Sequence, residues 1–397
     1  MATAAIIAEY NPFHKGHLYH IERTRAAGAD QILVIMSGNF VQRSESAVMR
    51  KQARAETALR NGADLVIELP LPWATASAEK FASGGVYIAD ALGTTETLSF
   101  GSECGDTEAL RRAAELVLGL DGSRELKESL SSGVSFPRAR AEALGNGGQR
   151  EMLSSPNDIL GIEYIKALIR SGSAIRPLAI KRIGPGHDSG AETEGCVSAR
   201  EIRKRIGAGD GTFKGYMPPA ALEILKREIA QSRAPSDFRA LENSILADLR
   251  KRDKEYFLKL DDVSEGLENR AARAVNDAGS LDGLYSAIKT KRYTFSRVRR
   301  IVLSAYLEIF SRYSALPPPY IRVLGFNERG KDMLREASGR ASLPIVTRPC
   351  EIAELGGRAA EIFALEAKAT AIFNLTLPEK RPANTEYTDK IIITVKK

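Results

Sequence analysis

Cysteine is scarce in this chain: Cys104, Cys196 and Cys350 are the only three among 397 residues, far apart and without CxxC spacing. That excludes a disulfide framework and a structural zinc site. No window approaches the roughly eighteen uncharged apolar residues of a membrane span. The N-terminus opens as an apolar strand rather than a basic-then-apolar leader, so no signal peptide and no membrane partner are expected, and the cytoplasm is the expected compartment. There is no internal repeat or low-complexity tract. Tryptophan occurs once, at Trp73, where a place in the core outweighs one lining a pocket. Charge is nearly balanced: 57 Lys and Arg against 50 Asp and Glu leave +7, so only local clustering of the excess points to a polyanion. What the chain does have is 43% hydrophobic content, enough for a full core in two or more domains.

Histidine is rare too, with four in all, yet His14, His17 and His20 fall within one short stretch. They follow an apolar run, Ala4–Ala8, that reads as a buried strand and turns through Asn11-Pro12 into helical periodicity. This is the strand–turn–helix that opens a nucleotide-binding α/β unit. The first-turn amides of the helix lack intrahelical partners and favour a phosphate. His14 and His17, three apart, are expected on one helix face, with Gly16 leaving room for an adenine ring. The competing reading is two solvated side chains. A metal site is weaker still, since no Cys or carboxylate cluster stands beside the triplet. The parts suit holding a nucleoside triphosphate while charge builds on its α-phosphate, which is adenylyl-transfer chemistry.

Strands and helices then alternate. Gln31–Ser37 reads as a strand whose carboxyl-end loop, 38–43, turns Asn39, Gln42 and Arg43 toward the same crevice. A helix over Met49–Asn61, a strand Asp64–Leu69, a helix Ser77–Leu92 and a strand Thr95–Phe100 follow, with Gly101-Ser102-Glu103 at the strand's end. Helices fill 106–170, with a break at Gly145–Gly148. Ser154–Asn157 opens a helix over Ile159–Ile169, and Asn157 has two readings, cap or nucleotide contact. A fifth strand, Ala174–Ile180, runs into Lys181-Arg182 and a Gly-rich loop holding His187, after which Ser198 opens another helix. The alternation implies a parallel sheet with right-handed crossovers.

Near Gly215 the character changes to charged helical patterns over Pro219–Gln231, Asp237–Lys251, Ser264–Asn276 and Ser280–Lys289. The run Lys289, Lys291, Arg292, Arg297, Arg299, Arg300 has no interleaved acid, and Tyr293 and Phe295 lie among the cations, so it reads as an RNA surface with stacking aromatics. Pro317–Pro319 ends the helical part and Ile321–Leu324 is strand-like. The expected domains are 1–215, 216–318 and a C-terminal α/β or helical segment, 319–397.

His14-Lys15-Gly16-His17 resembles the HxGH signature of the nucleotidyltransferase and class I synthetase superfamily. The longer stretches Ala8–His20, Met36–Arg43, Asp64–Pro70, Phe100–Glu103 and Pro156–Leu160 together resemble the bacterial tRNA(Met) cytidine acetate ligase family over almost the whole chain. The resemblance implies a Rossmann-like α/β catalytic domain with a parallel sheet, followed by a mainly helical region. It implies that acetate attacks ATP to give acetyl-adenylate, and that N4 of the wobble cytidine of elongator tRNA(Met) takes the acetyl group. His14 and His17 would be catalytic. ATP, with Mg2+, would contact Ile7, Ala8, Glu9, Tyr10, Asn11, Pro12, Phe13, His14, Lys15, Gly16, His17, Leu18, Tyr19, His20, Gly101, Asn157 and Arg182. Ser198-Ala-Arg-Glu-Ile-Arg203 is similar to the superfamily's second signature, which implies β- and γ-phosphate contacts from Ser198 and Arg203. Arg200 stands where that signature carries Thr, and Gly186 where an aromatic precedes His187. Two rivals remain: a small-molecule adenylyltransferase, which needs only the first domain, and a non-enzymatic RNA-binding protein with a relic nucleotide site.

Overall fold

The computed structural model describes residues 1–120, 152–153, 155–183, 197–264 and 266–394; the Gly145–Gly148 break, Ser154 and the His187 loop lie outside these. Five strands form the parallel centre of one sheet: β1 (Thr3–Ala8), β2 (Gln31–Ser37), β5 (Leu65–Leu69), β6 (Thr97–Ser102) and β7 (Arg176–Lys181), in the order β5-β2-β1-β6-β7. A hairpin of β3 (Phe40–Val41) and β4 (Glu45–Ser46) stands off the sheet. β1 pairs with β2 from Thr3↔Gln31 to Ala8↔Met36. Side chains alternate across the pleat, so Ala5, Ile7, Leu33 and Ile35 enter one core while Ala4, Ile6, Ile32 and Val34 enter the other. Both faces are covered, and for that reason these strands are apolar throughout rather than alternating. Helix Ala78–Ala91 lies directly on β1, because a Cβ at Gly85 would sit 2.5 Å from Ile7 Cδ1.

The strand order reverses at β1, which leaves a crevice beyond the carboxyl ends of β1 and β6. The fold is α/β and Rossmann-like. Helix Pro219–Ala230 shares a core with Val34 and Val66 through Ile224 and Leu225, so the change in composition at Gly215 is not a break in packing. Farther on, the helical part has its own core, built on Leu246, Phe257, Leu284, Val298 and Leu303. The expected Asp237–Lys251 helix divides into a 3-10 turn, Phe238–Leu241, and a helix, Glu242–Leu249.

The C-terminal segment returns to the first sheet. β8 (Ile321–Phe326) pairs antiparallel with β5, and β9 (Ile345–Val346) and β10 (Ile392–Ile393) pair parallel with β8. A buried charge cluster joins the same parts. Lys51 Nζ lies 2.6 Å from Glu68 Oε1 and 2.6 Å from Glu386 Oε1. Arg322 Nη1 lies 3.0 Å from Glu68 Oε2 and also contacts Glu386. Burial pushes the Glu386 carboxyl up, but Arg322 and Lys51 outweigh it and hold the group down at about 2. Glu366, which accepts the Leu71 N–H, is pushed up to about 8 by burial and by Glu68. Near neutral pH Glu366 therefore keeps its proton while Glu386 is held as a carboxylate.

Candidate active site

β1 ends at Ala8, and the chain turns through Tyr10, at φ 48, and a cis Asn11-Pro12 bond. Tyr10 is buried at the turn, its ring packed edge-on against Phe13 and His17. His14 is the N-cap of helix Lys15–Ala26 rather than a residue on its face. Gly16 N–H donates to His14 Nδ1 at 3.1 Å, and His14 N–H donates to His17 Nδ1 at 3.2 Å. This reciprocal box stacks the two rings, 3.8 Å between centroids at 21°. Because each Nδ1 accepts, the proton of each neutral ring sits on Nε2. The pair therefore carries two fixed N–H donors. The space over Gly16 is taken by the His14 ring, whose Cε1 lies 2.9 Å from a Cβ placed there.

His20 anchors the same helix to β6: its Nε2 lies 2.9 Å from Ser99 Oγ, which in turn is 2.7 Å from Thr24 Oγ1. Burial, reinforced by Arg182, pushes His20 down to about 4, so it is neutral in use. Glu9 Oε1 accepts the Gln42 N–H at 2.9 Å. Burial raises the Glu9 pKa against the opposing pull of Arg203, Arg43 and Arg54. Arg203 Nη1 donates to the Asn11 carbonyl at 2.7 Å, tying the second signature to the first. Ser198 caps helix Ala199–Gly207, accepting the Glu201 N–H at 3.2 Å.

On the opposite wall, helix Pro156–Ser171 is locked to the end of β6. Glu103 accepts from Asn157 Nδ2 at 2.6 Å and from Asp158 N–H at 2.9 Å, while Asp158 Oδ1 accepts from Ser102 Oγ at 2.5 Å. Asn157 thus lines the crevice while its amide is held by Glu103. A Cβ at Gly101 would sit 3.3 Å from Arg182 Cγ, so the guanidinium stem lies against that backbone.

Ile7, Ala8, Glu9, Tyr10, Asn11, His14, Gly16, His17, Tyr19, His20, Gly101, Asn157, Arg182, Ser198 and Arg203 all line the crevice, with Gln42 and Arg43. Pro12, Phe13, Lys15 and Leu18 do not. Pro12 and Phe13 are buried beneath the turn, Lys15 is exposed, and Leu18 packs on the core. Asn39 also faces elsewhere: its Oδ1 accepts the Lys51 N–H at 2.8 Å and its amide donates to Thr370 Oγ1 at 3.0 Å. Trp73 is core. The sequence reading missed Phe100, Leu160, Tyr164 and Lys181. Asn157, Leu160 and Tyr164 recur at three and four residues, the spacing of one helix face, and that pattern was the available signal.

The basic run finds its acids from distant parts of the chain. Arg300 Nη2 lies 2.7 Å from Asp262 Oδ2, and Arg299 Nη1 lies 3.4 Å from Glu45 Oε1. Arg297 donates to the Asp262 carbonyl at 2.8 Å and lies over the Tyr293 ring. Lys289 lies over Phe295, while Lys291 is exposed and Arg292 half-buried. Tyr293 is 6% exposed and belongs to the helical core, so it offers no face to a base; Phe295, 51% exposed, does. Among the described residues no cluster of three His, Cys, Asp or Glu could hold a metal ion, and no helix is long and apolar enough to cross a membrane.

A doubly wound sheet with a stacked HxGH histidine pair at its switch point defines a nucleotidyl transferase of the HIGH class, and the profile described as HIGH Nucleotidyl Transferase matches residues 1–388. The chain is 40% identical to a tRNA(Met) cytidine acetate ligase of Acetivibrio thermocellus over 99% of its own length and 100% of the relative's. It is 38% identical to another, from Thermoanaerobacter sp., over 99% and 100%. The crystal structure of Thermotoga maritima TmcAL bound with alpha-thio ATP is 34% identical, covers 100% of both chains and superposes with a TM-score of 0.92. The chain belongs to the tRNA(Met) cytidine acetate ligase family of HIGH nucleotidyl transferases.

Proposed function

We propose that this chain is a cytoplasmic ligase that activates acetate with ATP and transfers the acetyl group to N4 of the wobble cytidine of elongator tRNA(Met). The observation that carries the reading is the stacked His14 and His17 pair at the sheet's switch point, in a chain 40% identical over nearly its whole length to tRNA(Met) cytidine acetate ligases. In the first step an acetate oxygen bonds to the α-phosphorus, the bond to the β-phosphate's bridging oxygen breaks, and pyrophosphate leaves with the electron pair. The His14 and His17 Nε2–H donors meet the charge growing on the phosphate oxygens, and such preorganised donors are typically the largest catalytic term. Ser198, the first-turn amides of its helix, Arg203 and Arg182 receive the β- and γ-phosphates. In the second step N4 attacks the acetyl carbonyl, AMP leaves with the electrons of the C–O bond, and N4 loses a proton.

Ile7, Ala8, Tyr10, Asn11, Gly101 and Asn157 are assigned to nucleotide positioning. Among the described residues Glu9 is the single carboxylate lining the crevice, hemmed by arginines, so Mg2+ is assigned to the triphosphate it arrives with rather than to a protein cage. Residues 1–215 are assigned the adenylate chemistry, 216–318 the tRNA contact through the basic run, and 319–397 the closure of the sheet edge. Two measurements test the proposal: acetate-dependent ATP–pyrophosphate exchange, and nucleoside analysis after incubation with labelled acetate, ATP and total tRNA. Label in N4-acetylcytidine is the expected result. Exchange driven instead by a phosphorylated cofactor precursor would establish the small-molecule adenylyltransferase.

A further inference from the structure

Arg200, the position at which the chain departs from the superfamily signature, lines a second groove and not the nucleotide crevice. This groove, about 930 Å3, has walls from the β3–β4 hairpin, helix Ala199–Gly207 and helices Leu281–Ile288 and Phe295–Tyr306. Ser198 and Arg203 line both spaces, so groove and crevice meet where the second-signature helix begins. Arg200 and Lys204 lie one turn apart on that helix. Arg239 and Arg299 enter from the helical part, and Arg299 is the one member of the basic run that reaches the groove.

We infer that this groove admits a single strand of RNA and delivers its target base to the acyl-adenylate, with Arg200 and Lys204 on phosphates at one wall and Arg239 and Arg299 at the other. The inference rests on the RNA-acetylating reading above. A nucleophilic base must come within about 3–3.5 Å of the acetyl carbon. Its edge is exposed only when the strand is unstacked. A strand held only at Lys291 and Arg292 stays outside; one lying in the groove crosses the junction at Arg203. The acids there are engaged rather than opposed. Glu45 lies 3.7 Å from Arg203 and 3.4 Å from Arg299, Asp282 lies 3.0 Å from Arg239, Glu201 lies 2.9 Å from Arg205, and Asp237 Oδ1 accepts the Arg239 N–H at 2.9 Å. The Arg239–Asp282 pair is solvent-exposed, the kind of contact that contributes little and yields to a phosphate. Where the signature's Thr would present a short hydroxyl, Arg200 presents a long planar fork suited to phosphate.

Gly207 gives a clean probe. It is exposed on the groove, and a Cβ there meets nothing within 4 Å. Gly207→Glu, Gly207→Lys and Arg200→Thr are to be compared with the parent in three assays: acetate-dependent pyrophosphate exchange, acetyl transfer as a function of tRNA and salt, and filter binding of tRNA without ATP. Exchange is expected unchanged in both Gly207 variants, which lie at the far end of the helix from the triphosphate. Gly207→Glu should raise the half-saturating tRNA concentration and Gly207→Lys lower it. Arg200→Thr should lower the salt slope by about 0.7, one single-strand phosphate, which is about fivefold in affinity at 0.1 M salt. Parent-like transfer and binding in all three variants would overturn the inference. So would Gly207 variants that impair exchange instead, since the groove would then extend the triphosphate site. If the parent shows no acetate-dependent exchange, the functional reading fails, and the filter-binding shifts still decide whether the groove takes RNA.

Discussion

His17→Ala removes two functions at once, and the structure lets them be separated. In the proposed reaction the ring supplies one Nε2–H donor to the phosphate, and in the fold its Nδ1 accepts the His14 N–H at 3.2 Å. Loss of one preorganised donor costs about 100-fold to 1,000-fold in turnover, or ~3–4 kcal/mol of barrier. Loss of the cap costs ~1 kcal/mol of stability, and His14 loses the ring stacked on it at 3.8 Å. His17→Gln tells the two apart, because a Gln carbonyl at the third helical position accepts the cap N–H while its amide does not reproduce the ring's Nε2. Exchange kcat and thermal unfolding should therefore diverge: His17→Ala loses rate and melts lower, whereas His17→Gln melts near the parent and stays slow. Exchange within tenfold of the parent in His17→Ala, or full recovery of rate in His17→Gln, would refute the donor role.

The buried cluster supports two further tests. Lys51→Met leaves Arg322 as the one cation in ion-pair contact with both Glu68 and Glu386 and should cost about 3–5 kcal/mol, read as a lower urea midpoint; a loss under ~1 kcal/mol would show that the cluster reorganises at little cost. Glu366 has a folded pKa of about 8, above the ordinary 4.5, so its contribution is fully present below about pH 4.5 and is lost as pH rises toward 8, because the unfolded chain ionises first. Glu366→Gln has no proton to lose and should flatten the urea midpoint between pH 5 and 8, whereas curves that fall in parallel for variant and parent would remove Glu366 from the account.

The central strands were legible because burial on both faces writes an uninterrupted apolar run, as in Ile32–Met36. Strand β8 was legible as a strand but not as part of the first sheet. Its partner β5 lies far back in the sequence, and by then the strand–helix alternation that signals a parallel neighbour had stopped. The His14 and His17 pair was found by spacing, yet its geometry was misplaced: His is an unusual N-cap, so the sequence favoured two residues on a helix face over a capping box. Asn39 and Tyr293 were misjudged for one reason. Polar loop residues and aromatics among cations look accessible until the tertiary neighbours, Thr370 for the first and the helical core for the second, are known. Arg200 was visible as a departure, but the direction it faces depends on packing between segments that the local pattern does not encode.

The edge contact between β5 and β8 sets an order of events in the life of the chain. The ribosome releases β1 to β7 long before it releases Arg322 or Glu386, and the Lys51 and Glu386 pair spans 335 positions. Until then β5 presents unpaired N–H and C=O groups along one side, an open template for a neighbouring chain. Lys51 and Glu68 also await half of their cluster. Closure of so distant a contact is slow and leaves the intermediate prone to association. A chain cut short before Ile321 therefore lacks the strand that covers β5 and leaves that edge open.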